Sequence, residues 1–472
     1  MKKIITTLIC FCSLAISVFG QKTDKPNIIL IVADDLGYGD LSSYGQKKFK
    51  TPNIDRLAAR GMRFTQFYSG TSVCAPSRSS LMSGQHTGHT YIRGNKEVYP
   101  EGQQPIPDSV HTIAEVLKST GYTTAAFGKW GLGFVGTEGD PLNQGFDSFY
   151  GYNCQRESHR YYPGHLWDNR TRVIINGKDD LKTKAVYAPG LIQEKALSFI
   201  EEHKDEPFFL FLPYTLPHAE LEVPKDNIFA RFDGKFPETP FKGDDYGESA
   251  TPIGYTSQDK PHATFAAMVT RLDIYVGQVM STLKRLKLDQ NTLVIFTSDN
   301  GPHKEGGADP EFFNSSGGFR GTKRDLYEGG IRVPFIASWP GKIKAGSTSS
   351  FTGAFWDIYP TLTQLSGTAG SKNIDGISIL PELLGTTEQQ QHEYLYWEFH
   401  ELGGRQAVRQ GNWKAVYLNV KDPAKRALEL YDLSKDPQEK NNIAKQHPEV
   451  SSRMLKIIDS AHTESRIFPL IP

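Results

Sequence analysis

Cysteine is scarce in this chain, with four among 472 residues. Two of them, Cys10 and Cys12, lie in the opening stretch MKKIITTLICFCSLAISVFGQK, so the body of the chain keeps only Cys74 and Cys154. Two cysteines make no disulfide framework, which excludes a small cross-linked scaffold and leaves burial to hold the fold. A surplus of charge of one sign is also missing. Lys and Arg total 53, Asp and Glu total 53, and the formal net charge is zero. Nothing in that balance favours nucleic acid or an anionic membrane as partner. Long apolar runs are absent after the first 20 residues, so no membrane insertion of the mature chain is expected. Internal repeats and low-complexity tracts are absent as well.

The opening stretch has two lysines, an apolar run short for a bilayer, and small residues at Val18 and Gly20. It reads as a secretory signal peptide over residues 1–20, with an anchor helix as the alternative. The mature protein is then exported, periplasmic or secreted.

Apolar runs that stop abruptly at polar residues recur: NIILIVADDLG, YTTAAFGKWG, FFLFLPYTLPH and TLVIFTSDNG. Between them lie amphipathic stretches such as IDRLAARGMRF, HTIAEVLKSTG, LIQEKALSFIEEH and AAMVTRLDIYVGQVMSTLKRL. Continuous apolar strands alternating with helices predict an α/β domain over 21–380, a large mixed, mostly parallel sheet with helices on both faces. Beyond about Leu380 the texture becomes short and aromatic (EYLYWEFH, RQAVRQGNWKAVYL, LELYDLSKDP) and ends in a polar tail. A smaller antiparallel sheet and a helix over 381–472 are expected there. The Gly-, Pro- and Asp-rich segment from about Pro224 to Lys260 reads as a long surface excursion of the kind that often carries function.

Ligands of open α/β sheets sit beyond the carboxyl ends of the strands. Asp34 and Asp35, Asp299 and Asn300, Lys129 and His218 all follow predicted strands. Three carboxylates and an amide oxygen make a hard-oxygen site suited to Ca²⁺ or Mg²⁺. Helix caps and turns are the ordinary alternative for such acidic pairs. Cys74, in SVCAPSRSSLMSG, precedes a predicted helix N-terminus, where Pro76 suits the first turn and free N–H groups attract anions. It is either a small buried filler or a reactive group, and a soft thiol fits poorly beside hard-oxygen ligands.

CAPSRSSLMSG resembles the sulfatase signature Cys-x-Pro-Ser-Arg-x-x-Leu-x-Ser/Thr-Gly at every fixed position. The likeness continues through PNIILIVADDLGYGD, TPNIDRLAARGMRF, GKWGLG, LPHAE, SDNG, GTKRDLYEGGIRVP and LYDLSKDPQEKNNIA, which spans nearly the whole mature chain. It implies an alkaline-phosphatase-like fold and conversion of Cys74 to formylglycine by a maturation enzyme, so the working group is an aldehyde hydrate. It further implies that Asp34, Asp35, Asp299 and Asn300, with the hydrate at Cys74, bind one divalent cation, Ca²⁺ by family habit. Arg78, Lys129 and Lys323 would surround the sulfuryl group, and His218 would act as general acid. One hydrate hydroxyl would attack sulfur, and the other would release sulfate on collapse to the aldehyde.

In one position the chain departs from the family. GKWGLG places Gly131 where the family usually has a histidine that assists the hydrate; His303 is expected to substitute, with His159 next. The segment CQRESHRYYPGHLW brings Arg156, His159, Tyr161, Tyr162 and His165 together with Arg160 and Trp167. Aromatic faces and basic tips suit a sulfated carbohydrate substrate, and the texture resembles that of sulfatases acting on galactose- or N-acetylgalactosamine-type 4-O-sulfates. A packed surface loop is the alternative. The competing functions are a phosphodiesterase or phosphonate monoester hydrolase of the same superfamily, and a catalytically silent glycan-binding homologue.

Overall fold

The computed structural model describes residues 25–178, 181–245, 254–386 and 388–470. The expected signal peptide lies outside them. Among the described residues no helix is long and apolar enough to cross a membrane.

The main sheet is built from β1 (Asn27–Ala33), β2 (Met62–Tyr68), β5 (Thr123–Lys129), β6 (Ser148–Tyr152), β7 (His165–Asp168), β8 (Thr171–Ile174), β9 (Phe208–Pro213), β10 (Thr292–Ser298), β11 (Arg332–Ser338) and β12 (Ser347–Ala354). The small hairpin β3 (Glu97–Val98) and β4 (Gly102–Gln103) stands apart. Across the sheet the order is β12-β2-β11-β10-β1-β9-β5-β6-β7-β8. Its centre, from β10 through β1, β9 and β5 to β6, is parallel, and the flanks are mostly antiparallel.

Every residue of β1, β9 and β10 is buried, which is why these strands are apolar without alternation. In β1, Ile29, Ile31 and Ala33 face one core, while Ile28, Leu30 and Val32 face the other. Helices Pro52–Ala59, Ala188–Glu202 and Pro261–Arg285 close the first core. Helices Cys74–Ser83, Ile113–Ser119 and Ile358–Leu365 close the second. Each fully buried Ile, Leu, Val or Phe contributes about 1.5–3 kcal/mol, so this two-sided burial dominates the stability.

The C-terminal region forms the antiparallel meander β13 (Leu395–Phe399), β14 (Arg405–Gln410), β15 (Trp413–Leu418) and β16 (Ala427–Asp432). One face packs on helix Pro448–Ala461 through Tyr396, Val408 and Met454. The other places Trp397 and Tyr431 against Tyr68, Leu326 and Trp356 of the larger part. Helix Leu380–Leu384 straddles the expected boundary, and its Leu383 packs into the second core. Cys74 and Cys154 are both buried and unpaired.

Candidate active site

β1 and β10 run parallel with Ala33 opposite Ser298. The residues that follow, Asp34–Asp35 and Asp299–Asn300, therefore leave the sheet side by side. Backbone bonds fix the arrangement: Asp299 N–H donates to Ala33 O (3.0 Å), and Asp35 N–H to the Asp299 carboxylate (3.1 Å). Asp34 N–H donates to Leu216 O (3.0 Å), which ties the pair to the turn carrying His218. Asp35 adopts a left-handed φ of 60°, a conformation Asp tolerates better than most residues. All four side chains are fully buried.

Cys74 opens helix Cys74–Ser83, every residue of which is buried. Its Sγ lies 3.3 Å from Asp34 Oδ1. Burial first, then the Asp34 charge, push the thiol well above its ordinary range, so a bare thiolate is disfavoured here. One turn on, Ser77 Oγ donates to Asp299 O (2.6 Å). Arg78 donates through Nε and Nη2 to Asp299 Oδ2 (3.1 and 2.8 Å) and through Nη1 to Lys129 O (2.8 Å).

Lys129, the last residue of β5, donates from Nζ to Asp34 Oδ2 at 2.7 Å. Lys323 does the same to Asp35 Oδ2 at 2.8 Å. Burial alone would lower both ammonium groups. The facing carboxylates outweigh it, so both are held above their usual range. Asp299 shows the converse: burial and Asp34 raise its carboxyl despite Arg78. Three buried carboxylates thus face three buried cations, Arg78, Lys129 and Lys323.

The residues fit a hard divalent cation. Asn300 donates from Nδ2 to Asp35 Oδ1 (2.6 Å) and Gly301 O (2.9 Å), which aims its other terminal atom, Oδ1, away from those acceptors. That Oδ1 is buried without a hydrogen-bond partner among the described residues. A buried acceptor left in this state beside three carboxylates matches an oxygen-ligated metal. Asp34, Asp35, Cys74 and His218 also offer ligand atoms within 4.8 Å of one another.

His218 donates from Nδ1 to Ala219 O, so its Nε2 carries the lone pair. That atom lies 2.7 Å from Lys323 Nζ and 3.2 Å from Asp35 Oδ2. Burial, then Lys323 and Lys129, hold the ring well below the usual histidine range, hence neutral. His159 stacks on it with ring centroids 4.5 Å apart, and His303 stacks at 5.4 Å. His303 has both nitrogens engaged: Nδ1 accepts from Glu305 N–H (3.2 Å) and Nε2 faces Pro217 O (3.3 Å). In this arrangement its ring braces His218 and keeps no free nitrogen for the group at position 74.

The aromatic and basic loop is divided among several partners. His159 reaches the site through its stacking contact. Tyr161 donates to Thr215 O (2.7 Å) and His218 O (2.8 Å), supporting the His218 turn from behind. Arg156 pairs with Glu97 (2.9 Å) and His165 with Glu101 (2.9 Å), both on the β3–β4 hairpin. Tyr162 lines a separate cavity of about 930 Å³ together with Tyr187, Lys184, Glu222 and Phe229.

Three further residues at the site are not singled out by the sequence. Glu305 lies 3.4 Å from Lys323 Nζ, pairs with Arg324, and accepts from Tyr255 OH (3.0 Å). Burial opposes its charge, but the ammonium of Lys323, with the Arg324 guanidinium, holds its carboxyl well below the usual range. Tyr255, from the excursion after Pro224, places its ring 5.5 Å from His159. Gln155 fills the space that a side chain at position 131 would need. Glu305 stands two residues beyond His303, so the polar run after SDNG was its one trace in the sequence.

Residues 26–368 match the family described as Sulfatase, and residues 318–464 match N-sulphoglucosamine sulphohydrolase, C-terminal. Among curated proteins, the chain is 31% identical to the N-acetylgalactosamine-6-O-sulfatase of Bacteroides thetaiotaomicron, over 94% of each chain. It is 34% identical to human arylsulfatase A, over 89% of this chain and 83% of that one. Among solved structures it resembles Ps i-CgsB, with a TM-score of 0.76, 28% identity and 92% of each chain covered. That protein has also been solved in complex with k-i-k-neocarrahexaose.

Proposed function

The chain belongs to the sulfatase family of sulfuric ester hydrolases, and from that premise we propose that it removes sulfate from a galactose- or N-acetylgalactosamine-type sugar using a formylglycine made from Cys74. The observation that carries the reading is the buried cradle of Arg78, Lys129 and Lys323 around Asp34, Asp35 and Asp299, with Cys74 at its centre.

The Cys74 sulfur marks the place of an aldehyde hydrate, which supplies a nucleophilic oxygen and the second hydroxyl through which sulfate is shed. Asp34, Asp35, Asp299 and Asn300 would hold a divalent cation, Ca²⁺ with Mg²⁺ as alternative, which supplies positive charge to polarise a sulfate oxygen. The chain's own residues do the rest. Asp34, 3.3 Å from Sγ, orients the group at position 74. Arg78 and Lys129 lock the ligand carboxylates. The three cations balance the three carboxylates, so a bound divalent ion leaves a positive surplus suited to a sulfate monoester and to the dianion it becomes. His218 is the proton donor to the leaving oxygen in a relay: its Nδ1 proton is committed to Ala219 O, so Nε2 takes a proton from the Lys323 ammonium that faces it at 2.7 Å and passes it on, leaving Lys323 neutral until it is reprotonated. His159, stacked on His218, faces the sugar.

The partners in this reading are a sulfated carbohydrate and a formylglycine-generating maturation enzyme, and the chain acts after export. The 4-O-sulfate is the first position to test. The Bacteroides relative, named for the 6-O-sulfate of N-acetylgalactosamine, supports that position as the second. Sulfate release from sulfated mono- and disaccharides of both kinds is the test. A higher kcat/KM on phosphate or phosphonate esters would overturn the reading. An unconverted thiol in the Cys74 peptide, from a host with the maturation enzyme, would favour the silent glycan-binding alternative.

A further inference from the structure

β5 ends at Lys129, and the chain continues alongside β6, with Trp130 N–H donating to Tyr152 O (2.9 Å) and Gly131 N–H to Asn153 O (3.1 Å). Gly131 sits at φ 76°, and a Cβ there would collide with Nε2 of Gln155 and come within 3.0 Å of its Cδ. The Gln155 carboxamide therefore occupies the room beside the strand end that delivers Lys129. Gln155 is 8% exposed and Asn153 is fully buried. Among the described residues neither Oε1 nor Nε2 of Gln155, nor Oδ1 nor Nδ2 of Asn153, has a hydrogen-bond partner. The Gln155 main chain is nevertheless fixed: its N–H donates to Gln103 Oε1 (3.2 Å), and its carbonyl accepts from Ser158 Oγ (2.6 Å). Four residues further on, His159 stacks over His218.

Buried carboxamides held in place without partners call for a ligand. Their chemistry narrows it. Each amide offers NH₂ donors and a carbonyl acceptor. A sulfate oxygen only accepts, so it would leave both carbonyl oxygens orphaned. A sugar hydroxyl donates and accepts, and neighbouring ring hydroxyls satisfy both ends of an amide. We propose that Gln155 reads ring hydroxyls of the sugar that carries the scissile sulfate and so sets substrate specificity. The inference rests on the sugar-sulfate reading above.

The test uses the mature enzyme, Gln155→Leu and Gln155→Met, which remove both polar atoms at similar volume. Substrates are a sugar sulfate the wild type hydrolyses, its analogue lacking the hydroxyl next to the sulfate, and an aryl sulfate with no hydroxyls. The wild type should prefer the hydroxylated sugar over the deoxy analogue by about 10- to 100-fold in kcat/KM. In the variants that preference should collapse toward unity, and the loss on the sugar should exceed the loss on the aryl sulfate by about tenfold or more. Thermal stability should be unchanged or raised, because orphaned polar atoms are gone. Variants that keep the hydroxyl preference, or that lose equally on sugar and aryl sulfates, overturn the proposal, as does a clear drop in stability, which marks a structural amide. A wild type active on aryl sulfates and on no sugar sulfate overturns the sugar reading itself, and this one with it.

Discussion

Lys323 holds its ammonium 2.7 Å from Nε2 of His218. Two cations do not share that separation in a buried site, so the histidine is the neutral partner and accepts from the lysine. A sugar alkoxide is a poor leaving group and needs the proton that this pair controls; an activated aryl oxide needs it far less. His218→Ala should therefore lower kcat/KM on sugar sulfates by about 10²- to 10⁴-fold and be partly rescued on an aryl sulfate. Parallel assays on the two substrates check this, and equal losses would remove His218 from the acid role.

Cys74→Ala should abolish sulfate release while leaving the fold, with a melting temperature within about 5 °C of wild type. Only one small side chain at a helix start is shortened, and the helix keeps its Ser77 and Arg78 anchors. Cys74→Ser, unless the host's maturation system converts serine, should be equally inactive, because a single hydroxyl can accept the sulfuryl group but has no second hydroxyl to expel it. Burst kinetics with the serine variant, read as one equivalent of alcohol without sulfate, would display that arrest directly.

The oxygen donor set predicts one hard divalent ion per chain. Elemental analysis of active enzyme should find calcium or magnesium, and stoichiometric zinc would count against the assignment. Added cation should raise the unfolding free energy by about 2.7 kcal/mol at a hundred times its Kd, and Asn300→Leu should cancel that gain. This variant removes the unpartnered Oδ1 without stripping Arg78 of its carboxylate, so lost stabilisation by metal is not confused with a freed buried charge.

The rim of the sheet was legible in the chain because apolar strands ending in Asp-Asp or Asp-Asn carry both the fold and the site in one pattern. Lys323 is visible only through family likeness, since a lone cation on a loop has no periodic signature, whereas Arg78 stands out as a fixed cation in the first turns of the helix that Cys74 opens. IDRLAARGMRF reads as one amphipathic segment. The helix in fact stops at Ala59, and Met62 begins β2. Gly61 marks the break: it lies so close to the Ala337 carbonyl that a side chain would collide. The loop from Cys154 to Trp167 shows the limit of texture. Its aromatic and basic residues suggested a single sugar-facing surface, but Glu97, Glu101 and Glu220, all remote in sequence, claim Arg156, His165 and Arg160. Gln155 occupies the room beside Gly131, and no pattern in the sequence announces it, because loop packing and not residue class decides what fills a glycine's missing side chain.

A final prediction concerns acid stability and lies away from the active site. His86 is buried at 3% exposure, accepts from Gly88 N–H at Nδ1 (3.1 Å), and stacks on His89 with centroids 4.2 Å apart. Burial lowers its pKa from 6.5 to about 4, despite the opposing pull of Asp375. Below pH 6.5 the unfolded chain therefore takes up a proton here that the folded chain refuses until about pH 4. The unfolded state binds more protons across that window, so folding stability falls as pH drops from 6.5 to 4 and is fully present above 6.5. At 1.36 kcal/mol per pH unit, the gap between 6.5 and about 4 is worth about 3 kcal/mol. His218, buried, and His159, partly buried, slope the same way, so the measurement is a difference. His86→Gln, which keeps an acceptor for Gly88 N–H, should lower stability at pH 7.5 through imperfect packing yet show a shallower loss between pH 6.5 and 4 than wild type. Denaturant titrations at half-unit pH steps decide it: parallel curves for the two proteins would mean that Asp375 cancels burial at His86, and a steeper loss in the variant would mean that Asp375 outweighs it.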